Sequence, residues 1–187
     1  MEVLLLGLSG KQRSGKDTVV EILKNWVCDY DVVVFRLSGG VYEIARKYFG
    51  MKEKDRETLI AVGEKLRTID PYVFVKYTLW RIYEYLAVTV ARRVQKDVMI
   101  IVPDIRLPEE LKLLKQAGFN IVRIEAPQEY RRQREGFVME AEDHYTETAL
   151  DTYKFPYVIK NTKDIKDLKA QVIETYLSIK EKVEGHI

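Results

Sequence analysis

The sequence has 187 residues, a length that fits one domain, and 47% of them are hydrophobic, which is enough for a buried core. Its 31 basic and 29 acidic side chains nearly cancel to a formal net charge of +2, so we expect neither a nucleic acid nor a membrane as partner. One cysteine and two histidines exclude an internal disulfide and provide too few ligands for a structural zinc site.

The first predicted element is a buried strand at Val3–Leu8, an apolar run followed by glycines. This run lacks a basic leader and is too short for a signal peptide or a membrane span, so we expect a cytoplasmic protein. Apolar residues at helical spacing predict a helix over Thr18–Val27. The β-branched run Val32–Phe35 predicts the second strand.

Helices and strands continue to alternate in the rest of the chain. Three helical stretches come next, over Val41–Phe49, Arg56–Ile69 and Val73–Val94. Further strands are predicted at Val98–Val102, where Pro103 and Asp104 close the run, at Ile121–Ile124 and at Tyr157–Ile159, with helices at Pro108–Lys115 and Ile165–Val183. Apolar strands separated by helices indicate a parallel sheet covered on both faces. The sequence therefore predicts a three-layer α/β domain of about five parallel strands.

The segment Gly10–Thr18, directly after the first strand, has the glycine spacing and the Gly-Lys pair of a phosphate-binding loop. Glycines let successive N–H groups point at phosphate oxygens, and the following helix adds its positive end. The ammonium group of Lys16 is expected to reach the β- and γ-phosphates of ATP. The residues predicted to bind ATP here are Gly10, Arg13, Ser14, Gly15, Lys16, Asp17 and Thr18.

One position departs from the usual loop. Asp17 stands where a serine or threonine usually helps to hold Mg²⁺, and Thr18 comes one place later. This order resembles nucleoside monophosphate kinases more than GTPases. We expect Thr18 to contact the α-phosphate or a metal-bound water, and Asp17 to lie near the acceptor.

Asp104 follows the most apolar strand of the sequence. Ligands of open parallel sheets bind outside the carboxyl ends of the strands, so we expect Asp104 to face the same crevice as the phosphate loop. There it would position Mg²⁺ or accept a proton from the attacking oxygen. Arg106 would pair with a substrate phosphate. The alternative is a capping acid and a surface arginine.

Several segments resemble the deoxynucleoside monophosphate kinases typical of phages. They are Gly10–Thr18, Arg56–Gly63, Val102–Arg106, the turn at Gly118 with its following strand, His144–Glu147 and Val158–Asn161. The chain departs from that family at Ile60 and Glu64, where the family commonly has Gln and Thr. The resemblance implies a P-loop kinase fold, ATP with Mg²⁺, and Arg56–Gly63 as a helix near the acceptor.

Another set of segments is similar to animal-type phosphomevalonate kinases. These are Arg36–Gly39, Arg131–Gly136, Leu150–Asp151 and the strand around Val158, together with Asn161. The two families imply the same fold and the same transfer of the ATP γ-phosphoryl group to a small phosphate-bearing acceptor. They differ in the acceptor, for which we prefer a nucleoside monophosphate, with phosphomevalonate and dephospho-coenzyme A as alternatives.

The densest basic cluster is Glu129–Gly136. Phosphoryl transfer needs cations that neutralise developing charge, and a mobile arginine-rich lid would supply them while excluding water. Arg131 and Arg134 are one helical turn apart and are expected to face the site together. The alternative is a solvated helix face. We predict a lid at about 127–147.

The acceptor is expected in a helical insert at about 41–96 and beside it. Ser38 and Gly39 open a helix whose amides would hold the acceptor's phosphate, although a simple turn is an alternative. Arg46, Arg56 and Glu147 complete this predicted set, each with a surface or loop role as the alternative. Asn161 stands where related kinases place the adenine loop.

Two other nucleotide-binding classes match less well. GTPases read guanine with an Asn-Lys-x-Asp motif, whereas the lysine of Asn161–Asp164 comes one place late, and Asp104–Leu107 has no glycine of the Asp-x-x-Gly type. A non-catalytic nucleotide-binding regulator is a third class, against which Lys16 and the arginines argue. The sequence thus predicts one kinase domain over residues 1–187, as a monomer or a homodimer.

Overall fold

The computed structural model of the chain describes residues 1–93 and 96–185. Within them, one sheet contains the strands β1 (Val3–Ser9), β2 (Tyr30–Val34), β3 (Asp97–Ile105), β4 (Asn120–Glu125) and β5 (Tyr157–Lys160). The strand order is β2-β3-β1-β4-β5, and every neighbouring pair is parallel. The predicted sheet of about five parallel strands is therefore confirmed.

The helices of the described residues are α1 (Lys16–Trp26), α2 (Ser38–Phe49), α3 (Arg56–Ile69), α4 (Val73–Ala91), α5 (Pro108–Gln116), α6 (Gln128–Arg131), α7 (Tyr145–Thr148) and α8 (Ile165–Glu184). The helix predicted to reach Val94 is α4, which ends at Ala91, and Val94 itself lies outside the described residues. Of the helices that the structure describes, none combines the length and apolarity that crossing a membrane requires.

Two apolar layers cover the sheet, one on each face. Successive side chains of a strand point to opposite faces, so Leu4 and Leu6 of β1 pack with α1 and α8, while Leu5 packs on the other side with α4 and α5. The interior of strand β3 is fully buried, since Ile100 and Ile101 are both 0% exposed. Helices on both faces give the predicted three layers.

Strand β3 continues past the proline that the sequence predicts to close it. Proline lacks an N–H group and is tolerated inside a sheet where the pairing is irregular. The register between β1 and β3 shifts here, from Gly7 opposite Val102 to Ser9 opposite Ile105. The predicted end of this strand at Val102 is therefore wrong, because the irregular pairing carries the strand to Ile105.

The helices α2, α3 and the start of α4 form a small third core, built on Val41, Val62 and Phe74. Helix α3 begins where Asp55 caps it, because the Asp55 side chain accepts hydrogen bonds from the backbone N–H groups of Glu57 and Thr58. This insert stands beside the carboxyl ends of the strands and forms one wall of the cavity described next.

Candidate active site

A cavity of about 1310 Å³ lies at the carboxyl ends of the strands. The phosphate loop, α2, α3 and the segment 127–147, which we call the lid, all contribute to its lining. Open parallel sheets bind ligands at this edge. The volume exceeds the roughly 300–1,000 Å³ that is usual for a single small-molecule pocket.

The phosphate loop has the backbone that its glycines were expected to provide. Gly15 has a φ of 106°, in the left-handed region that favours glycine. A Cβ atom at Gly15 would overlap the side-chain amide of Asn161, which donates a hydrogen bond to the Ser14 carbonyl at 2.8 Å. Helix α1 begins at the next residue, Lys16, so its N-terminus faces the loop. Asn161 thus braces the loop and lines the cavity.

Lys16 is a buried basic side chain of the site. Its Nζ atom donates hydrogen bonds to the carbonyls of Gly10 at 2.6 Å and Lys11 at 2.8 Å. Burial, helped by the nearby Arg106 guanidinium, lowers the pKa of Lys16 to about 7, although the carboxylates of Asp17 and Asp104 act in the opposite direction. A negatively charged ligand in the cavity would favour the charged form of this lysine.

The Ser14 side chain is buried inside the loop, against Gly10. Its hydroxyl oxygen is buried and has no hydrogen-bond partner within the part of the chain that the structure describes. Buried hydroxyl groups are normally hydrogen-bonded. Ser14 is not among the described residues that line the cavity, whereas its neighbours Arg13, Gly15 and Lys16 are.

Asp104 is directed at the start of α2. Its carboxylate accepts hydrogen bonds from the backbone N–H groups of Leu37 at 2.8 Å and Ser38 at 2.9 Å, and from the Ser38 hydroxyl at 2.8 Å. These contacts match the capping alternative, and they explain why α2 begins at Ser38 rather than at the predicted Val41. The amide of Ser38 therefore faces Asp104.

The residues predicted for Mg²⁺ fit only a metal that is held mainly by phosphates and waters. Within residues 1–93 and 96–185, no cluster of three or more acidic, histidine or cysteine side chains is arranged around a metal position. Mg²⁺ in phosphoryl-transfer sites usually takes only one or two protein ligands. Thr18 lines the cavity, and Asp104 keeps about one of its roughly four lone-pair positions after its three hydrogen bonds.

Arg106 lines the cavity and is held from two sides. Its guanidinium forms an ion pair with the buried carboxylate of Glu147, whose Oε2 atom accepts the Gln12 N–H at 2.6 Å. Its backbone N–H donates to Oε2 of Glu110 at 2.9 Å, and that of Leu107 donates to the same atom at 3.0 Å. Burial raises the pKa of Glu110 to about 7. Arg106, Glu147 and the phosphate loop thus form one connected unit.

The two lid arginines do not share a role. Arg131 is 3% exposed, and its guanidinium forms two hydrogen bonds of 2.6 Å with the buried carboxylate of Glu142. Its remaining contacts are the carbonyls of Ala126 at 2.9 Å and Gln12 at 3.3 Å. The expectation that Arg131 faces the cavity beside Arg134 is therefore corrected, since its donors are directed at the protein.

Arg134 is the lid arginine that lines the cavity. Its Nη1 atom donates a hydrogen bond to the Arg13 carbonyl of the phosphate loop at 2.6 Å. The lid also approaches the loop at Gly136, whose φ is 75° and where a Cβ atom would overlap the Arg13 side chain. A cation and a close backbone contact therefore join lid and loop at the mouth of the site.

Gln12 is a loop residue that the sequence did not single out. Its side-chain amide donates to the Val138 carbonyl at 2.6 Å and to Glu142 at 2.9 Å, and its side-chain oxygen accepts the Val138 N–H at 3.1 Å. Gln12 occupies one of the positions that the phosphate-loop pattern leaves unspecified, so the local sequence does not indicate that it contacts the lid. Its partners are more than a hundred residues away in the sequence.

The predicted acceptor residues separate into two groups. Ser38, Arg56 and Glu147 line the main cavity. Gly39 and Arg46 line an adjacent pocket of about 830 Å³, together with Arg36, Ser38, Tyr42, Glu43 and Lys47. Ser38 and Tyr42 belong to both cavities, so the two lie side by side.

One face of α3 lines the main cavity, and the sequence analysis identified only part of this face. The lining residues are Arg56, Leu59, Ile60, Gly63, Glu64 and Arg67. Their spacing of one, three or four positions places them on one helix face. Opposite them, at the end of the lid, His144 and Tyr145 also line the cavity.

Two solved structures share this architecture. The chain is similar to a dephospho-CoA kinase from Campylobacter jejuni, with 17% identity, coverage of 100% of both chains and a TM-score of 0.52. It is also similar to TT1252 from Thermus thermophilus, with 19% identity, coverage of 95% of this chain and 98% of that one, and a TM-score of 0.51. No model of a known protein family matches the sequence. The likeness shows a common α/β fold, in agreement with the predicted fold class.

Proposed function

We propose that this protein transfers the γ-phosphoryl group of ATP to the phosphate of a small monophosphate, with a nucleoside monophosphate as the acceptor. The observation that carries the proposal is the buried Lys16, which lines a cavity together with Arg106 and Arg134. Basic side chains around one cavity suit a polyphosphate donor and an anionic acceptor.

The donor site that we propose is the phosphate loop. The backbone N–H group of Gly15 and the N-terminus of α1, both at the cavity, would hold the phosphates. Asn161 would contact the nucleotide from the far side of the loop. Lys16, which now donates to two loop carbonyls, would turn to the β- and γ-phosphates and regain its full charge.

Mg²⁺ bound with ATP would supply further neutralisation of the phosphate oxygens. Thr18 and Asp104 are the side chains of this chain that would hold it. All other charge stabilisation in the proposal comes from Lys16, Arg106 and Arg134, whose positive groups surround the place where the transferred phosphoryl group would pass.

The carboxylates beside the loop support a phosphate as acceptor. Asp17 pairs with Arg36 at 2.6 Å, Asp104 accepts the hydrogen bonds that start α2, and Glu147 pairs with Arg106. Each is thus occupied, whereas a hydroxyl acceptor would need a carboxylate as general base. A phosphate acceptor is already an anion, so positioning and neutralisation are sufficient.

A second candidate is an acceptor with more anionic groups, such as dephospho-coenzyme A or phosphomevalonate. The adjacent pocket with Arg36, Arg46 and Lys47 favours it, because these cations would meet a phosphate or carboxylate distant from the reacting one. The fold that the chain shares with a dephospho-CoA kinase also supports it.

A screen of ADP release tests both candidates. The protein is incubated with ATP and Mg²⁺ over ribo- and deoxynucleoside monophosphates, phosphomevalonate and dephospho-coenzyme A. We expect a nucleoside monophosphate to stimulate release, and Lys16→Ala to reduce it by about 10³-fold. Lys24→Ala, an exposed lysine of α1, is the matched control. Failure of every acceptor to stimulate ADP release would refute the kinase proposal.

A further inference from the structure

The face of α3 that lines the cavity changes from basic to apolar to acidic along the helix. Arg56 stands at its N-terminal end, Leu59 and Ile60 form an apolar middle, and Glu64 stands two turns beyond Arg56. At a rise of about 1.5 Å per residue, Arg56 and Glu64 are about 12 Å apart along the helix axis. A cation, an apolar strip and a carboxylate thus follow one another over the length of a mononucleotide.

Glu64 presents its carboxylate to the cavity with room for new partners. Its side chain is 52% exposed, and its Oε1 atom lies 3.9 Å from Nε2 of His144, beyond hydrogen-bond distance. On the other side of this ring, Nδ1 lies 2.8 Å from the Thr146 hydroxyl oxygen and 3.4 Å from the Thr146 backbone nitrogen, so the Nε2 edge of the ring is the one that faces Glu64. Glu64 and His144 therefore line one corner of the cavity.

Flat apolar surfaces adjoin this corner. The rings of His144 and Tyr145 lie 4.6 Å apart at an angle of 43°. Tyr145 is 45% exposed and Ile60 is 42% exposed, and both line the same cavity. Proteins that bind single nucleobases read the Watson–Crick edge by hydrogen bonds and hold the ring faces between aromatic or apolar side chains. The corner offers both kinds of contact.

An ionised carboxylate only accepts hydrogen bonds, so the group opposite Glu64 must donate them. Guanine presents two adjacent donors, N1–H and the 2-amino group, which match the two carboxylate oxygens in a parallel arrangement. Adenine and cytosine place a ring nitrogen with a lone pair beside their amino group. Uracil and thymine have a single N–H between two carbonyls. Of the common bases, only guanine meets both oxygens with donors.

We infer that Glu64 determines the specificity of the acceptor site and that the acceptor is a guanine nucleoside monophosphate. This inference rests on the kinase function proposed above. The Glu64 carboxylate accepts the two guanine N–H groups, Tyr145 and Ile60 contact the ring, and Arg56 binds the phosphate that receives the phosphoryl group. A site built to bond two donors discriminates strongly against rings that lack them.

Binding of GMP alone, measured by calorimetry without ATP, tests the inference apart from catalysis. We expect GMP to bind at least roughly 100-fold more tightly than UMP, and IMP, which lacks the 2-amino group, to bind roughly tenfold more weakly than GMP. Glu64→Gln replaces one acceptor oxygen by a donor and should weaken GMP binding by roughly 100-fold while leaving UMP binding unchanged. Glu57→Gln changes an exposed glutamate of the same helix and is the matched control.

The outcomes separate the two proposals. Equal binding of GMP and UMP, absence of GMP binding, or unchanged GMP binding in Glu64→Gln would each overturn the assignment of Glu64. Such a result leaves the kinase function standing if any other acceptor stimulates ADP release. Conversely, GMP binding that depends on Glu64 without any ADP release would overturn the kinase function alone.

Discussion

The phosphate loop and the lid line the same cavity and contact each other, but different interactions hold each of them in place. The loop is set by its own backbone, with Gly15 in the left-handed region and α1 starting at Lys16. The lid contains only short helices, which are α6, α7 and the 3-10 helix Met139–Ala141, and side-chain contacts hold it. One such contact joins Gln12 and Glu147, which are 135 positions apart.

This difference teaches where sequence patterns carry information about a site. A loop that depends on local backbone geometry leaves a mark in the sequence, since the glycines must stand at fixed positions. Contacts with distant partners leave no such mark, because the fold alone brings Val138 of the lid to Gln12, 126 positions away. Changes in the lid contacts should therefore loosen the lid while the loop keeps its shape.

The largest effect is expected from breaking the lid's buried ion pair. Glu142→Ala leaves the Arg131 guanidinium buried without its carboxylate, and we expect a loss of about 3 kcal/mol in the free energy of unfolding. Chemical denaturation measures this loss. Asp143→Ala, at the exposed neighbouring position, should change stability by less than about 0.5 kcal/mol. A loss below about 1 kcal/mol for Glu142→Ala would show that the pair does not hold the lid.

An intermediate effect is expected from proton uptake at the loop. Burial lowers the pKa of Lys16 to about 7. Without bound phosphates this lysine is therefore expected to be mostly neutral at pH 8. Bound phosphates favour the ammonium form, so ATP binding should take up a proton, and affinity should fall by up to about tenfold per pH unit above pH 7. Calorimetry in two buffers of different ionisation enthalpy measures the uptake.

Lys16→Met provides the control for this pH dependence. The variant should bind ATP more weakly, and the proton uptake near pH 8 should be absent from it. If wild-type protein and variant show the same uptake, another group is titrating and Lys16 is charged throughout.

The smallest effect is expected at Gln12, which joins the two regions. Gln12→Ala removes three side-chain hydrogen bonds to Val138 and Glu142 but keeps the backbone contacts of the loop. We expect global stability to fall by about 1 kcal/mol. Amide hydrogen exchange near Val138 should accelerate about fivefold, while exchange in α1 stays unchanged. Equal acceleration in both regions would contradict the separation between loop and lid.

Much of the fold was predictable because its signals are local. The apolar strands, the glycines of Gly10–Thr18 and the amphipathic helices are each visible within a short window of sequence. The end of β3 was not, because Pro103 interrupts a pattern that a register shift then continues. The start of α2 was also not predictable from local patterns, since it depends on hydrogen bonds to Asp104, which lies in strand β3.

The candidate site shows the same limit more sharply. The spacing of Arg131 and Arg134 predicts that they share a helix face, but α6 ends at Arg131, so the helical rule does not extend to Arg134. Glu64 stands on the helix that was correctly predicted over Arg56–Ile69. Its place opposite His144 depends on the path of the lid, which sequence periodicity does not describe.

Asp104 has a mechanical consequence for the cavity. By accepting three hydrogen bonds from Leu37 and Ser38, it fastens the first turn of α2 to the end of a central strand. That turn is therefore fixed to the sheet, and we expect any movement that narrows the cavity to occur outside it. A ligand-bound structure should superpose on this one at Leu37 and Ser38 even where α3 and the lid have swung inward.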